Sequence, residues 1–473
     1  STLLVWHYRG EAVRAGFRYA LLHGLGGTLL MAAVLGNYVA KGTFLFATVP
    51  GGPETAGIVA GLPAALAAVG IGVNVGFIGL HAWLPDTYPR PHIAASVFLC
   101  VFTTKTGVYG MYRAFPDGHV AIAYMGGGMA VFGATFALFQ NDMRRLLSYH
   151  IQSQVGYMIA GVGIGTALSQ AGAFAHVFNH ILYKGLLFMT AGVVVYRTGE
   201  ESLKKLGGLA RDMPVTAGAF TIAALSIAGF PGFNGFVSKG IIISGSHYTF
   251  PKGPLPIGDF HTLEWLLLLG GIGTFMSFIK FGYYAFFHGS YDGDVRDANR
   301  GQSVAMGAVA VLCVAYGVLV PTSPLAAVVP ADVGLFGILP FDVTSEAVVE
   351  KVYETYTVDH LVEGVALAVL GLIGFALTKK PLSKLGRVPD IDSLYNPAVF
   401  YGTRGLVVGV TELYAAVDRA IVGLTTATVR TVTDPQAAVR RVGSDVEIKS
   451  GIGRSVLILT LAVGVALFGV LFL

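Results

Sequence analysis

Long apolar runs make up most of this chain, and such runs leave the backbone little choice of fold. Eleven of them, near residues 16–40, 58–83, 94–113, 118–140, 147–167, 171–196, 213–250, 263–286, 303–321, 359–378 and 453–473, read as full spans. Most have the roughly 20 residues a helix needs to cross hydrocarbon. In lipid the peptide groups must be satisfied internally, so spans of this kind are helices. Charged residues are only 12% of the chain, hydrophobic residues are 54%, and the mean hydropathy is +0.67. A soluble domain carries about twice that charged fraction. The expected fold class is an all-α polytopic membrane protein, one bundle rather than two soluble domains.

The loops sort by charge. Taken alternately, one side holds fifteen Arg and Lys residues, among them Arg90, Arg144, Arg145, Lys204, Lys379 and Lys380; the other holds four, Lys41, Arg113, Lys252 and Lys351. The richer side is cytoplasmic by the positive-inside rule, and the asymmetry supports the span count. This rule also accounts for the net charge of +4 without any nucleic-acid partner. Cys100 and Cys313 both lie in apolar spans and read as small packing residues, not as a disulfide or a metal site. The opening, STLLVWHYRGEAVRAG, has no Met and no signal peptide; its apolar stub reads as the tail of a transmembrane helix in an N-terminally truncated chain. Residues 322–357 form a long loop with five carboxylates, Asp332, Asp342, Glu346, Glu350 and Glu354, which reads as a solvated acidic surface on the outer side.

Several spans hold groups a bilayer should reject. In 171–196, His176, His180 and Lys184 recur every fourth residue, so they share one helix face about 6 Å apart along the axis. In 213–250, Gly229, Pro231, Gly232 and Gly235 interrupt the centre, and Lys239 follows. Pro lacks a donor and Gly is permissive, so a broken helix is expected there. Irregular backbone at membrane depth survives only in protein or facing water, and a lysine beside such a break points to a path for protons or cations. Lys105 sits too centrally in its span to reach water. Lys280 and Glu363 lie nearer to span ends, where snorkelling suffices. Two other readings of the histidines stay open: interhelical hydrogen bonding, and a zinc site, although no Cys or carboxylate shares their face. Beyond 381 the pattern changes. From Pro397 to Val432 an apolar stripe (Leu406, Val410, Leu413, Val417, Ile421 and Leu424) is punctuated by charges and ends at Asp434-Pro435, as in an amphipathic helix lying on a membrane or partner surface.

Four blocks in order, HAWLPDTYPRPHIAASVFLCVFTTKTGVYGMYR, FQNDMRRLLSYHIQSQVGYM, HVFNHILYKGLLF and GLARDMPVTAGAFTIAALSIAGFPGFNGFVSK, resemble the antiporter-like membrane subunit family. That family includes the D-type subunit of the Mrp Na+/H+ antiporter and the proton-pumping membrane subunits of complex I and membrane-bound hydrogenases. VPDIDSLYNP resembles the C-terminal part of some Mrp-like subunits of the D type. The resemblance implies a fold of about fourteen helices with two inverted repeats, each with one broken helix, here 58–83 and 213–250. It divides the chain into the rest of a first repeat (1–114), a second repeat (118–250), peripheral helices (251–380), a surface-helix region (381–452) and a terminal helix (453–473). It implies that Lys105 links two half-channels, that His176, His180 and Lys184 form the connecting helix, and that Lys239 ends the second half-channel. Two departures follow. Asn74 stands where the family has a lysine, and asparagine carries no proton. The glutamate that pairs with that lysine would lie upstream of Ser1, and Glu11, read here as a loop residue, is no substitute.

The expected function is a proton- and cation-translocating subunit of a multisubunit Na+ (or K+)/H+ antiporter, multi-pass in a prokaryotic plasma membrane and in contact with lipid and other membrane subunits. Desolvation disfavours a buried ammonium and histidine titrates near neutrality, so Lys105, His180, His176, Lys184 and Lys239 can pass protons along a line. No cofactor signature is present; Gly-rich runs such as 126–128 lie inside a span. The alternatives are a proton-pumping subunit of a redox-driven complex, for which an oxidoreductase label would fit the assembly, and a non-conducting structural or coupling subunit.

Overall fold

A computed structural model describes residues 10–44, 57–248, 250–251, 253–255, 259–320, 355–384, 388–434 and 452–472. Among them the chain is helical and forms no ladder of strands; an isolated bridge pairs Asp142 with Ser202. The helices are α1 (Glu11–Lys41), α2 (Leu62–Val75), α3 (Trp83–Thr87), α4 (Ile93–Ala114), α5 (Val120–Phe139), α6 (Met143–Ile164), α7 (Ala167–Thr198), α8 (Pro214–Ala228), α9 (Asn234–Tyr248), α10 (Thr262–Gly282), α11 (Arg300–Val318), α12 (Val358–Lys384), α13 (Asp392–Thr433) and α14 (Ile452–Phe472).

Among the described residues seven helices, α1, α4, α5, α7, α10, α11 and α12, are long and apolar enough to cross a membrane alone. The interrupted pairs α2–α3 and α8–α9, the more polar α6, and α14 complete the eleven expected spans. The acidic loop residues from Asp332 to Glu354 lie outside the described residues.

Local chemistry sets the helix ends. Asp142 caps α6 by accepting from Arg145 N at 2.8 Å, and Thr166 and Ser169 form a capping box at the start of α7. Pro214 occupies the first turn of α8, where its missing N–H is no loss, while Asp297 accepts from Val215 N at 2.7 Å. Glu11 is not in a loop. It opens α1, where a carboxylate favours the positive helix end, and it pairs with Arg90.

The chain divides into two units, Ser1–Asp392 and Ser393–Leu473. In the first, α7 is central and packs on α4, α6, α8, α9 and α11. Pairing is closest between α5 and α6, where a Cβ on Gly133 would stand 2.4 Å from Ser153 N and one on Gly126 2.3 Å from Ala160 N. Only glycine permits backbones this close. In the second unit α13 is one continuous helix whose large apolar side chains, such as Leu406, Leu413 and Leu424, are exposed. It ends at Thr433, immediately before the expected stop.

Candidate functional site

The second break is built from its glycines. Gly229 takes a left-handed turn (φ 84°) that ends α8, and Gly235 presses so close to Ser226 O that a Cβ would fall 1.8 Å from it. The last carbonyls of α8 therefore lose their helical donors at depth. Lys239 supplies one: its Nζ donates to Ile227 O at 2.8 Å and reaches Ala228 O at 3.5 Å. These oxygens are also the negative end of the helix dipole, where a cation belongs. The ammonium is buried and stands 4.7 Å from the centroid of the Tyr157 ring.

Tyr157 leads to α7. Its ring centroid lies 5.8 Å from that of His176, which has no exposed surface. His176 Nδ1 meets Ser238 Oγ at 2.9 Å, and Nε2 meets Gln154 Oε1 and Tyr183 Oη, each at 3.2 Å. Ser238 also faces Asn234 O at 3.4 Å, and Asn179 Nδ2 donates to that carbonyl at 2.8 Å. His180 follows one turn on, its ring 6.5 Å from His176 and 5.4 Å from Tyr183. Lys184 is fully buried, 5.9 Å from the ring centroids of both Phe188 and Phe278. Neither nitrogen of His180 nor Lys184 Nζ has a hydrogen-bond partner among the described residues. Lys105, on α4, is buried with Nζ on Cys100 O at 2.5 Å and Thr104 Oγ1 at 3.1 Å. It stands within Coulombic range of His176, His180 and Lys184.

The first break differs in kind. Gly76 (φ 76°) ends α2, and the carbonyls set loose there take neutral donors: Trp83 Nε1 on Val73 O at 2.8 Å and Gln152 Nε2 on Gly76 O at 3.0 Å. Asn74 lies in the last turn of α2, its Oδ1 buried and without a partner among the described residues. Where the second break holds an ammonium, the first holds an indole and two amides.

The sequence model for the NADH:quinone oxidoreductase/Mrp antiporter transmembrane family matches residues 1–249. This chain belongs to that family. It is 32% identical over 285 residues to the D-type subunit of the Na(+)/H(+) antiporter of Alkalihalophilus pseudofirmus, covering 58% of this chain and 56% of that one. It is 37% identical over 183 residues to the L-type subunit of the F(420)H(2) dehydrogenase of Methanosarcina mazei, covering 36% of this chain and 27% of that one. The chain thus spans only part of the length of these relatives. Among solved structures, a chain of the membrane-bound sulfane sulfur reductase, an archaeal respiratory membrane complex, shares its fold with a TM-score of 0.59 over 98% of this chain and 77% of that one, at 24% identity.

The family match covers both breaks and α7 and stops before α10. Within it, the structure brings His176, His180, Lys184 and Lys239 into one buried neighbourhood, with Lys105 close by and Asn74 at the other break. Sequence reading missed much of what joins them. Tyr157, Gln154, Ser238, Asn179 and Tyr183 all line the network, and His150, fully buried and unpartnered among the described residues, puts its ring 4.6 Å from Phe278, beside Lys184. The signal was present as SYHIQSQ, a polar run inside an apolar chain on a helix buried along nearly its whole length. Lys280, outside the match, does not snorkel. It is buried and donates to Leu138 O (2.8 Å), Gln140 O (2.6 Å) and Asn141 Oδ1 (3.2 Å) at the C-terminal end of α5.

Proposed function

We propose that this chain is the proton-translocating membrane subunit of a multisubunit Na+ (or K+)/H+ antiporter in a prokaryotic plasma membrane, with other membrane subunits as its partners. The observation that carries the reading is Lys239: a buried ammonium on the open end of a half-helix, facing Tyr157 and the His176 network. The network can reverse. With the His176 proton on Nε2, that nitrogen donates to Gln154 and Ser238 donates to Nδ1. When a proton reaches Nδ1, Ser238 accepts from it and turns its own proton to Asn234 O, because a hydroxyl both donates and accepts. His180 and Lys184 extend the line towards Lys105, whose charge acts on both. Residues 1–114 and 118–250 act as the two repeats, one break in each.

A redox-driven complex is the second reading. It is favoured by the likeness of almost the whole chain to one in the sulfane sulfur reductase structure. A scaffold that holds partners without conducting is the third. The test is cation-dependent ΔpH dissipation in vesicles holding the full complex, wild type against Lys239→Ala, with assembly checked by subunit recovery. Exchange falls by about a hundredfold with assembly intact, the usual scale for removing a positioned proton-transfer group. Unchanged exchange refutes the assignment of Lys239. Metal clusters in the purified complex would favour the redox reading over the antiporter.

A further inference from the structure

From residue 59 to residue 85, through the whole first break, the only ionisable side chain is His81. It has no exposed surface, and its partner comes from 309 residues away: Nε2 stands 3.1 Å from Asp390 Oδ2. Gly79 N–H donates to Nδ1 at 3.3 Å, so in the neutral ring Nε2 is the nitrogen that donates to the carboxylate. Tyr149 Oη donates to the same Oδ2, and Ile391 N donates to Oδ1 at 2.6 Å. The Phe132 ring closes one side, 4.9 Å from the imidazole. The titratable and charged groups facing the pair are Tyr149 and, in Coulombic range of it, Arg145, both from α6; Asp86 of α3 is engaged by Arg18 of α1 at 2.8 Å. Asp390 lies between α12, whose last turns carry Lys379, Lys380 and Lys384, and α13, so the pair sits at the Arg- and Lys-rich end of the bundle.

We propose that the His81–Asp390 pair is the proton-loading site of the first break, placed at its cytoplasmic mouth and built from residues far apart in the chain. The inference rests on the transport reading given above. A buried carboxylate facing an imidazole supplies the counter-charge an imidazolium needs out of water. Burial pushes the Asp390 carboxyl up, but the hydrogen bonds from His81 and Tyr149 outweigh it and hold the group below the usual carboxylate range, so Asp390 presents a negative charge to the His81 ring. The proton binds at Nδ1, where a new N–H bond forms and the Gly79 N–H is released. Gly79 has φ 92° and open space where a Cβ would be, so it can turn aside. Loss of that proton restores the starting arrangement. Because Asp390 lies two residues before α13, each cycle is felt on the linker that leads into that helix.

The test compares wild type, His81→Gln, Asp390→Asn and Lys239→Ala as assembled complexes in vesicles, with exchange followed against pH on the cytoplasmic side. His81→Gln keeps a side-chain donor for Asp390 but cannot load a proton, and exchange falls by about a hundredfold. Asp390→Asn keeps an acceptor for His81 and Tyr149 but removes the counter-charge, and the midpoint of the rate–pH curve moves about one unit or more towards acid. A mere structural tie of the linker predicts wild-type rate and midpoint for Asp390→Asn wherever the complex assembles. If Lys239→Ala abolishes exchange while both other variants keep the wild-type curve, the loading site is overturned and the transport reading stands. If Lys239→Ala leaves exchange intact, the transport reading fails, and this inference falls with it.

Discussion

Substituting Gly133 by alanine tests how the proposed relay is held in place. A Cβ there would stand 2.4 Å from Ser153 N, 2.7 Å from Tyr149 O and 2.9 Å from Ser153 Cα, all main-chain atoms that no rotamer change can move. Ordinary contact begins near 3.4 Å, so α5 and α6 must part by about 1 Å at this level. Overpacking that only backbone shifts can relieve costs about 1–3 kcal/mol, and the upper end applies here because Gly126, Gly156 and Gly163 hold the same two helices in similar contact and prevent a local escape. The shift has a second effect. Ser153 is adjacent to Gln152 and Gln154, which bind the Gly76 carbonyl and His176. His176 Nε2 is already 3.2 Å from Gln154 Oε1, so a further displacement of about 1 Å breaks that bond.

The assay is thermal unfolding of the purified complex in detergent together with vesicle exchange, and Gly218→Ala is the internal control. Gly218 has nothing within 4 Å of a Cβ, and alanine there is neutral or gains up to about 1 kcal/mol of helix propensity. Gly133→Ala should unfold well below both Gly218→Ala and wild type, and it should lose exchange even where it assembles. If Gly133→Ala and Gly218→Ala have the same melting temperature and the same exchange rate, close backbone contact does not position the network, and the reasoning fails.

Lys280→Met should lower stability by about 2 kcal/mol, because two main-chain carbonyls lose a charged donor while relief of ammonium desolvation offsets part of the loss; exchange per assembled complex stays within about twofold of wild type. Asp390 also gives a pH signature in stability. Its carboxyl is held below the usual range in the folded protein, so its contribution is present above the unfolded-state value near pH 4 and is lost as pH falls through the folded one. The melting-temperature gap between wild type and Asp390→Asn should be full at neutral pH and close on acidification; a gap that widens in acid would contradict the sign.

What could be read from the sequence was whatever one helix or one break carries by itself. His176, His180 and Lys184 share a face because four residues nearly complete a turn, and no tertiary knowledge is needed to see it. Gly229, Pro231 and Gly235 announce a break for equally local reasons. The pieces that join helices were not legible. Gln154 and Tyr157 gain meaning only when α6 is laid against α7, and His81 meets Asp390 across 309 residues of chain. Glu11 was misjudged because a charged stretch after Gly10 looks like a loop, whereas its carboxylate begins a helix and answers Arg90 from a distant turn. Lys280 was expected to reach water because its distance from the helix end was counted along its own span. Its real partners are the end of α5 and the residues just beyond it, about 140 residues earlier.

Lys280 and Lys239 show why contacts alone do not assign a role. Each ammonium caps the C-terminal carbonyls of a helix that is not its own, and by that chemistry the two are alike. They differ in grip. Lys280 holds three acceptors, at 2.6, 2.8 and 3.2 Å, and faces no other titratable relay group in its hydrogen bonding. Lys239 holds one acceptor at 2.8 Å and a second only at 3.5 Å, with the face of Tyr157 as its third neighbour. Lys184 Nζ has no hydrogen-bond partner among the described residues and stands 5.9 Å from the ring centroids of Phe188 and Phe278. An ammonium fixed by three acceptors is a strut between helices. One fixed by a single strong acceptor is held less firmly. Lys239 also stands within Coulombic range of His176 and His180, which the proposed relay needs and a purely structural strut does not.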